Sequence, residues 1–375
     1  MTYIHEQKDW PEFRWSAEEL SSLVANIRHK QGLLLGRMSV LGFQLRNEAS
    51  LEILTTDVVK SSAIEGENLD PEQVRSSIAK KLGVDISGTA TINRHVEGIV
   101  EMMLDATQKY DAPLTKDRLF GWHAALFPTG RSGMHKITVG GWRQPEAGAM
   151  QVVSGIIGRE NIHFEAPDAL LLEQEMDRFL DWFNKTSTDD PVLKAAIAHF
   201  WFVTIHPFED GNGRIARAIA DMALARSDNS PQRFYSMSAH IEQERKEYYN
   251  SLETCQKGDL DITLWLNWFL FCLERAIENA DETLSGVLYK AKIWQKINQK
   301  PVNKRQRKII NLLLGNFFGK LTTSKYATLA KCSPDTALRD IQELIKRNIM
   351  VQNPEGGRST SYQLVDLDSS ITPEE

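Results

Sequence analysis

The chain has 375 residues, 42% of them hydrophobic and 25% charged, with a formal net charge of −6. This length and composition predict an ordinary globular protein with two or three domains and a sizeable core. No apolar run approaches the ~18 residues of a membrane span, and the N-terminus lacks a basic stretch followed by an apolar segment, so we expect neither a membrane protein nor an export signal.

Cysteine usage and charge distribution refine this expectation. The three cysteines, Cys255, Cys272 and Cys332, are scattered without a metal-binding spacing, which suits a reducing compartment and predicts a cytoplasmic protein. Residues 290–364 hold 15 Lys and Arg against 4 Asp and Glu, a balance of +11, so the remainder of the chain carries −17. This asymmetry indicates a basic C-terminal module with a separate task.

The first 90 residues are predicted to be helical. Ser16 followed by Glu19 has the spacing of a capping box, which marks a helix start. A further helix is expected over residues 51–64, and Asp70 with Pro71 predicts the start of the next one.

Residues 91–128 also have helical patterning, and their two histidines, His95 and His123, are interpreted as core or surface residues because their spacing suggests no metal site. Between residues 128 and 167 the helical pattern stops. Apolar residues set among glycines there predict a short β-hairpin; they are Ile137, Val139, Trp142, Val152 and Val153. The alternative is a loose surface ribbon.

The stretch at residues 206–217, HPFEDGNGRIAR, joins two helices and has the composition of an anion-binding loop. Gly211 and Gly213 permit close approach of the backbone, and the start of the second helix offers free N–H groups at its positive dipole end. Arg214 and Arg217 are three residues apart, so both can reach the same anion.

Two other residues of this joint are chemically active types. Asp210 offers one hard oxygen ligand, as Mg²⁺ shared with substrate phosphates would need. A histidine ordinarily titrates near neutrality, so His206 is expected to be able to act as a base. A plain helix-helix joint, with a buried histidine and paired arginines, would explain each of these residues individually.

Together these residues resemble a known family, because they match every constrained position of the Fic-domain signature HPFx(D/E)GNGRxxR. The resemblance implies transfer of AMP from ATP to a hydroxyl of a target protein. It implies that Gly211, Asn212, Gly213, Arg214 and Arg217 bind the ATP phosphates, that Asp210 holds Mg²⁺ and that His206 is the base.

The same resemblance gives meaning to residues outside the motif. Ser61, Glu65 and Gly66 match the family's inhibitory pattern (S/T)xxxE(G/N), which implies that Glu65 pairs with Arg217 and misplaces ATP. Tyr249 and Gln256 resemble the segment that meets the ribose and adenine, although the family has Asn where this chain has Gln256. A Fic-type hairpin flap implies that a strand of the target pairs with it.

The last part of the chain predicts three helices and a strand-turn-strand, which resembles a winged helix. Its third helix, running to Arg347, would carry Arg339, Lys346 and Arg347 toward DNA phosphates or base edges. Winged helices also mediate protein contacts, so both partners stay open here.

We therefore predict a mainly α protein: a Fic helical core with a β-hairpin flap and a small C-terminal winged-helix domain. Its predicted divisions are an inhibitory region (1–90), a catalytic domain (91–280), a helical linker (281–300), a winged helix (301–366) and a tail (367–375). The expected partners are ATP with Mg²⁺ and a protein carrying a Ser, Thr or Tyr hydroxyl, with DNA and a second copy of the chain as further candidates and no membrane.

Three alternatives to AMP transfer remain at this point. The enzyme could transfer another nucleotide group or remove AMP, using the glutamate to position water. The chain could instead be a DNA-binding regulator whose Fic body senses nucleotide, or an inert helical scaffold.

Overall fold

A computed structural model describes residues 2–84, 86, 90–156, 159–187, 189–298, 302–314, 317, 319–354 and 360–365. The chain divides into two compact units, Met1–Thr283 and Leu284–Glu375. The boundary falls within one long helix, Thr263–Asn298, so the described part of the linker predicted as residues 281–300 is helical up to Asn298.

Helices make up most of the first unit. In chain order they are α1 (Ala17–Ser39), α2 (Phe43–Ile64), α3 (Pro71–Leu82), α4 (Arg94–Gln108), α5 (Lys116–Leu126), α6 (Leu172–Asn184), α7 (Pro191–Ile205), α8 (Asn212–Asp228), α9 (Met237–Gln243), α10 (Arg245–Gln256) and α11 (Thr263–Asn298). The predicted mainly α fold class is confirmed.

Helix starts follow the predicted capping chemistry. The Ser16 hydroxyl accepts a hydrogen bond from the Glu19 backbone N–H at the start of α1. The Asp70 carboxylate accepts one from the Glu72 N–H at the start of α3, with Pro71 in its first turn. These bonds satisfy N–H groups that have no partner within the helix.

Helices α7 and α8 lie at the centre of the first unit. Every α7 residue from Leu193 to Ile205 except Lys194 is buried, and α8 is buried from Arg214 to Ala225. A helix that is apolar on all sides requires neighbours all round it. The loop between α7 and α8 is therefore held at both ends by core packing.

Two antiparallel hairpins lie between α5 and α6. The first pairs β1 (Arg131–Ser132) with β2 (His135–Lys136), and the second pairs β3 (Gln151–Ile156) with β4 (Arg159–Glu165). The hairpin predicted from sequence is confirmed at Val152 and Val153.

The part of that prediction resting on Ile137, Val139 and Trp142 is wrong, because these residues lie outside the strands. Gly140 has a positive φ of 68°, which breaks an extended run. Trp142 is buried against Phe120 and donates its indole N–H to Glu173. Core packing therefore determines the conformation of this segment.

Besides the end of α11, the second unit contains three helices and a three-stranded antiparallel sheet among its described residues. Its elements are α12 (Lys304–Leu314), β5 (Leu321–Thr322), α13 (Thr323–Ala330), α14 (Pro334–Lys346), β6 (Met350–Gln352) and β7 (Ser361–Leu364). The strand order is β5-β7-β6, so the predicted strand pair has a third strand that the sequence did not indicate. Residues 367–375, predicted as a tail, lie outside the described residues.

Within the described residues, no helix combines the length and the apolar character that crossing a bilayer requires.

Candidate functional site

The loop between α7 and α8 is held in an unusual backbone shape by polar contacts. His206 ends α7 in a left-handed conformation with φ 51°, which L-residues adopt at a cost. Arg143 is buried, and its side-chain Nε donates to the His206 carbonyl at 2.9 Å. The backbone N–H of Arg143 donates to the Pro207 carbonyl. The Asn212 side chain bonds both the N–H and the carbonyl of Phe208, at 3.0 and 2.8 Å.

The His206 ring is prepared to accept a proton. Its Nδ1 lies 3.2 Å from the Val203 carbonyl, which favours the tautomer with the proton on Nδ1. Burial lowers the pKa of His206 to about 4, so the imidazole is neutral at physiological pH. Nε2 is then an unprotonated base.

Asp210 lies at the opening of the motif loop. One carboxylate oxygen accepts from the Gly211 N–H, and the other accepts from the Ser132 hydroxyl on β1. No group of three or more His, Cys, Asp or Glu within the described residues could hold a metal ion. A single partly exposed carboxylate does fit the manner in which proteins hold Mg²⁺ through substrate phosphates.

The side chain of Glu65, which follows α2, lies against the first turn of α8. Its Oε1 accepts from Nη2 of the buried Arg217 at 2.7 Å. It also lies so close to Gly213 that a Cβ added there would overlap it. The carboxylate is thus at the N-terminal end of a helix beside an arginine, which is the position that an anionic ligand would take.

Ser61 completes the contact between α2 and Arg217. Its hydroxyl accepts from Arg217 Nε and its carbonyl from Nη2, both at 2.9 Å. The buried Nη1 of Arg217 has no hydrogen-bond partner in the described part of the chain. The structure therefore brings Ser61 and Glu65 to Arg217, and Arg217 keeps one donor free.

A Schellman turn at the end of α2 explains the position of Glu65. The Gly66 N–H donates to the Ala63 carbonyl and the Glu67 N–H to the Ser62 carbonyl, which is the bonding pattern of that motif. The motif needs a left-handed residue after the helix, and Gly66 has φ 83°. Gly66 therefore shapes the turn that carries Glu65.

A second carboxylate on the same turn, that of Glu67, contacts the other motif arginine, Arg214. Glu67 Oε2 accepts from Arg214 Nη1 at 3.0 Å, and its other oxygen contacts His95 Nε2 on α4. Arg214 lies over the Phe127 ring, 5.1 Å from its centroid. Glu67, His95, Arg214 and Asp210 line one cavity of about 390 Å³ together with the β1 segment.

The two residues predicted to bind the nucleoside are in different surroundings. Tyr249 is 37% exposed on α10, and burial together with the charge of the nearby Glu65 raises the pKa of its hydroxyl. Gln256 is buried, and its amide donates to the Thr204 hydroxyl at 3.2 Å. The structure brings Tyr249 to the cleft and directs the Gln256 amide into the core.

Sequence reasoning missed four residues of this region: Arg143, His123, Glu67 and His95. His123 accepts from the Gly140 N–H, lies 3.2 Å from the Asp210 carbonyl and stacks on Phe208, so it supports the loop rather than merely filling the core. Glu67 is two residues after Glu65, and that proximity was the available signal. His95 and Arg143 gave no signal, because their contacts arise only in the tertiary fold.

Two family models match separate parts of the chain, and curated proteins are similar to about half of it. Residues 113–224 match the model of the Fic/DOC family, and residues 3–84 match a domain of unknown function, DUF4172. The chain is 32% identical over 205 residues to protein adenylyltransferase fic-1 of Caenorhabditis elegans, covering 54% of this chain and 37% of that protein. It is 27% identical over 241 residues to protein adenylyltransferase Fic of Drosophila willistoni, covering 61% and 42%. The chain thus spans less than half the length of these relatives.

Solved structures share the fold. A Fic family protein from Desulfovibrio desulfuricans aligns with a TM-score of 0.52 and 21% identity over 92% of this chain and 96% of that one. A Fic domain containing signaling protein from Bacteroides thetaiotaomicron aligns with the same score and identity over 70% and 97%. At this identity the similarity concerns the fold alone.

Proposed function

We propose that this chain, a Fic/DOC-family protein through its domain at residues 113–224, is an adenylyltransferase that moves AMP from ATP to a hydroxyl of a target protein. One observation carries the proposal: the Glu65 carboxylate lies at the N-terminal end of α8 on Arg217, where a phosphate would bind. The neutral base His206 lies on the same loop. The adenylyltransferase names of the curated relatives support this reaction.

The proposed reaction is an in-line displacement at the α-phosphorus. The hydroxyl oxygen of the target forms a bond to this phosphorus, the bond to the bridging oxygen breaks, and pyrophosphate leaves. His206 Nε2 takes the hydroxyl proton. The N–H groups at the start of α8 together with Arg214 and Arg217 hold the phosphates, so the protein contributes positioning and charge stabilisation. The Asn212 side chain is engaged with Phe208, so its contribution to phosphate would come from its backbone N–H.

Asp210 would hold Mg²⁺ through one carboxylate, with phosphate oxygens supplying further ligands. When bound, the ion would neutralise charge that develops on the departing pyrophosphate. Ser132 and the Gly211 N–H orient the carboxylate for this task.

The target would approach along the hairpin of β3 and β4. Val153 and Ile162 face each other across it and are 48% and 43% exposed, which leaves an apolar surface for an added strand. The hairpin is tied to the helix of Tyr249, because His163 on β4 contacts both Ser154 and Glu253.

The wild-type protein should be nearly silent, because Glu65 occupies Arg217 and displaces the phosphates from a productive position. The ion pair of Glu65 and Arg217 is partly exposed, so its net contribution to the stability of the inhibited state is small. Partner binding or self-association could therefore release it.

Self-labelling with α-³²P-ATP tests the proposal. Glu65→Gly should raise AMP incorporation well above the wild-type level, and Glu72→Gly on the exposed first turn of α3 should not. His206→Ala in the Glu65→Gly background should abolish incorporation. Equal labelling of Glu65→Gly and wild type would refute inhibition by Glu65, and persistent labelling without His206 would remove it as the base.

We further propose that the second unit is a winged helix, because three helices are followed by a hairpin that includes β6 and β7. Arg339 and Lys346 are exposed on α14, its third helix. They are available to phosphates or base edges.

A further inference from the structure

We propose that Glu67 is a second carboxylate that competes with nucleotide phosphate, by occupying Arg214 while Glu65 occupies Arg217. The cleft would then be blocked at both motif arginines. This inference rests on the proposed function, because it takes the anion that binds these arginines to be the nucleotide.

The geometry at Arg214 parallels the geometry at Arg217. Each guanidinium is nearly buried, with 6% and 2% of its side chain exposed, and each contacts one glutamate, at 3.0 and 2.7 Å. Each also has one buried nitrogen without a partner in the described chain, Nε of Arg214 and Nη1 of Arg217. Two buried cations with unused donors point to an anion with several acceptor oxygens.

Glu67 is held as an anion in this position. Burial alone would raise its pKa, but the hydrogen bond from His95 and the charges of His95 and Arg214 keep the pKa of Glu67 below its usual range. His95 lies on α4, so a neighbouring helix helps to hold Glu67 on Arg214. Glu67 is therefore charged at neutral pH, and His95 on a neighbouring helix fixes the position of its carboxylate.

The Schellman turn couples the two glutamates. Glu65 caps the C-terminal end of α2, Gly66 reverses the backbone, and Glu67 follows, so both carboxylates enter the cleft from a single turn. A movement of that turn would withdraw both. Removing one glutamate leaves the other in contact with its arginine, so Glu65→Gly alone should relieve only part of the block.

Nucleotide affinity tests this directly. All proteins are full-length and carry His206→Ala, so that ATP is not consumed. Calorimetric titration measures the Kd of ATP with Mg²⁺ in the Glu65→Gly variant, with and without Glu67→Gln, which keeps the shape of the side chain and removes its charge. Glu72→Gln is the matched control, and adenosine is the ligand without phosphate.

Glu67→Gln should lower the Kd of ATP about fivefold, within the range usual for coupled sites, and leave the Kd of adenosine unchanged. Glu67→Ala should act in the same direction. An unchanged or higher Kd of ATP overturns the proposal and makes Glu67 a support that positions Arg214 for phosphate. An equal gain for adenosine also overturns it, because the effect would not concern phosphate.

The result is separable from that for the proposed function. If ATP binds more tightly but no AMP is transferred when His206 is restored, the competition stands and the proposed transfer fails. If transfer occurs and the affinity is unchanged, the proposed function stands and the role of Glu67 fails. If no variant binds ATP, both fail.

Discussion

If Glu65 and Glu67 inhibit as proposed, Gly66→Ala should activate the protein by straining the turn that carries both glutamates. Gly66 has φ 83°, and nothing lies within 4 Å of an added Cβ, so the substitution introduces backbone strain without a clash. A left-handed L-residue costs about 1–2 kcal/mol. If this strain destabilises the conformation in which Glu65 contacts Arg217, the fraction of molecules in which that contact is broken rises about 5- to 30-fold.

Two other substitutions serve as matched comparisons. Gly83 also has a positive φ of 67°, with nothing within 4 Å of an added Cβ, and it follows α3 instead of α2. Gly83→Ala therefore adds similar strain without touching Glu65 or Glu67. Gly66→Asn keeps a residue that tolerates the left-handed region and should remain close to wild type.

Initial rates of self-labelling with α-³²P-ATP measure the effect, and melting temperatures report the strain. The expected order is Gly66→Ala above wild type, with Gly83→Ala and Gly66→Asn near wild type. Equal rates for Gly66→Ala and Gly83→Ala would refute the argument, because the strain would then act on overall stability and not on the turn.

Two further predictions concern the base and the second unit. In the Glu65→Gly variant, transfer should persist at pH 6 and fall as the pH approaches about 4, because burial lowers the pKa of His206 and only its neutral form accepts a proton; a rate profile with a midpoint at 6.5 or higher would contradict this. In a gel-shift titration, truncation at about residue 300 should weaken DNA binding, and so should the double substitution Arg339→Ala and Lys346→Ala. The loss of affinity should become smaller at higher salt. If the truncated protein binds DNA as tightly as the full chain, the second unit is not the DNA-binding part.

The sequence predicted those features that local chemistry determines. Helix starts at Ser16 and Asp70 follow from capping preferences, and the joint between α7 and α8 follows from an apolar run interrupted by glycines. The conjunction of Ser61, Glu65 and Arg217 was reached through a family pattern. Spacing along the chain could not establish it, because 152 residues separate the two charged partners.

Several contacts of this region depend on the tertiary fold and have no signal in the sequence. Residues 137–142 have strand-like composition, yet Trp142 is buried and bonded to Glu173 on a later helix, and this packing outweighs propensity. Gln256 resembles a nucleoside-binding position, and its buried amide donates to Thr204 on α7, a contact that the sequence pattern does not indicate. His95 looked like an isolated histidine because its partner Glu67 is 28 residues away.

The burial of the motif arginines links the proposed inhibition to stability. Arg217 is 2% exposed, so without nucleotide it needs a counter-charge, and Glu65 supplies it. Replacing Glu65 by Gln keeps the shape but leaves the guanidinium without its anion, which should cost about 1–3 kcal/mol, limited by the 30% exposure of the Glu65 side chain.

ATP with Mg²⁺ should replace the lost charge, since a ligand at 100 times its Kd stabilises a protein by about 2.7 kcal/mol. Differential scanning fluorimetry should therefore show Glu65→Gln melting below wild type in the absence of nucleotide and gaining more from ATP than wild type does, while Glu72→Gln behaves as wild type. If Glu65→Gln melts higher than wild type and gains nothing from ATP, then Arg217 does not need an anion and the cleft is not a phosphate site.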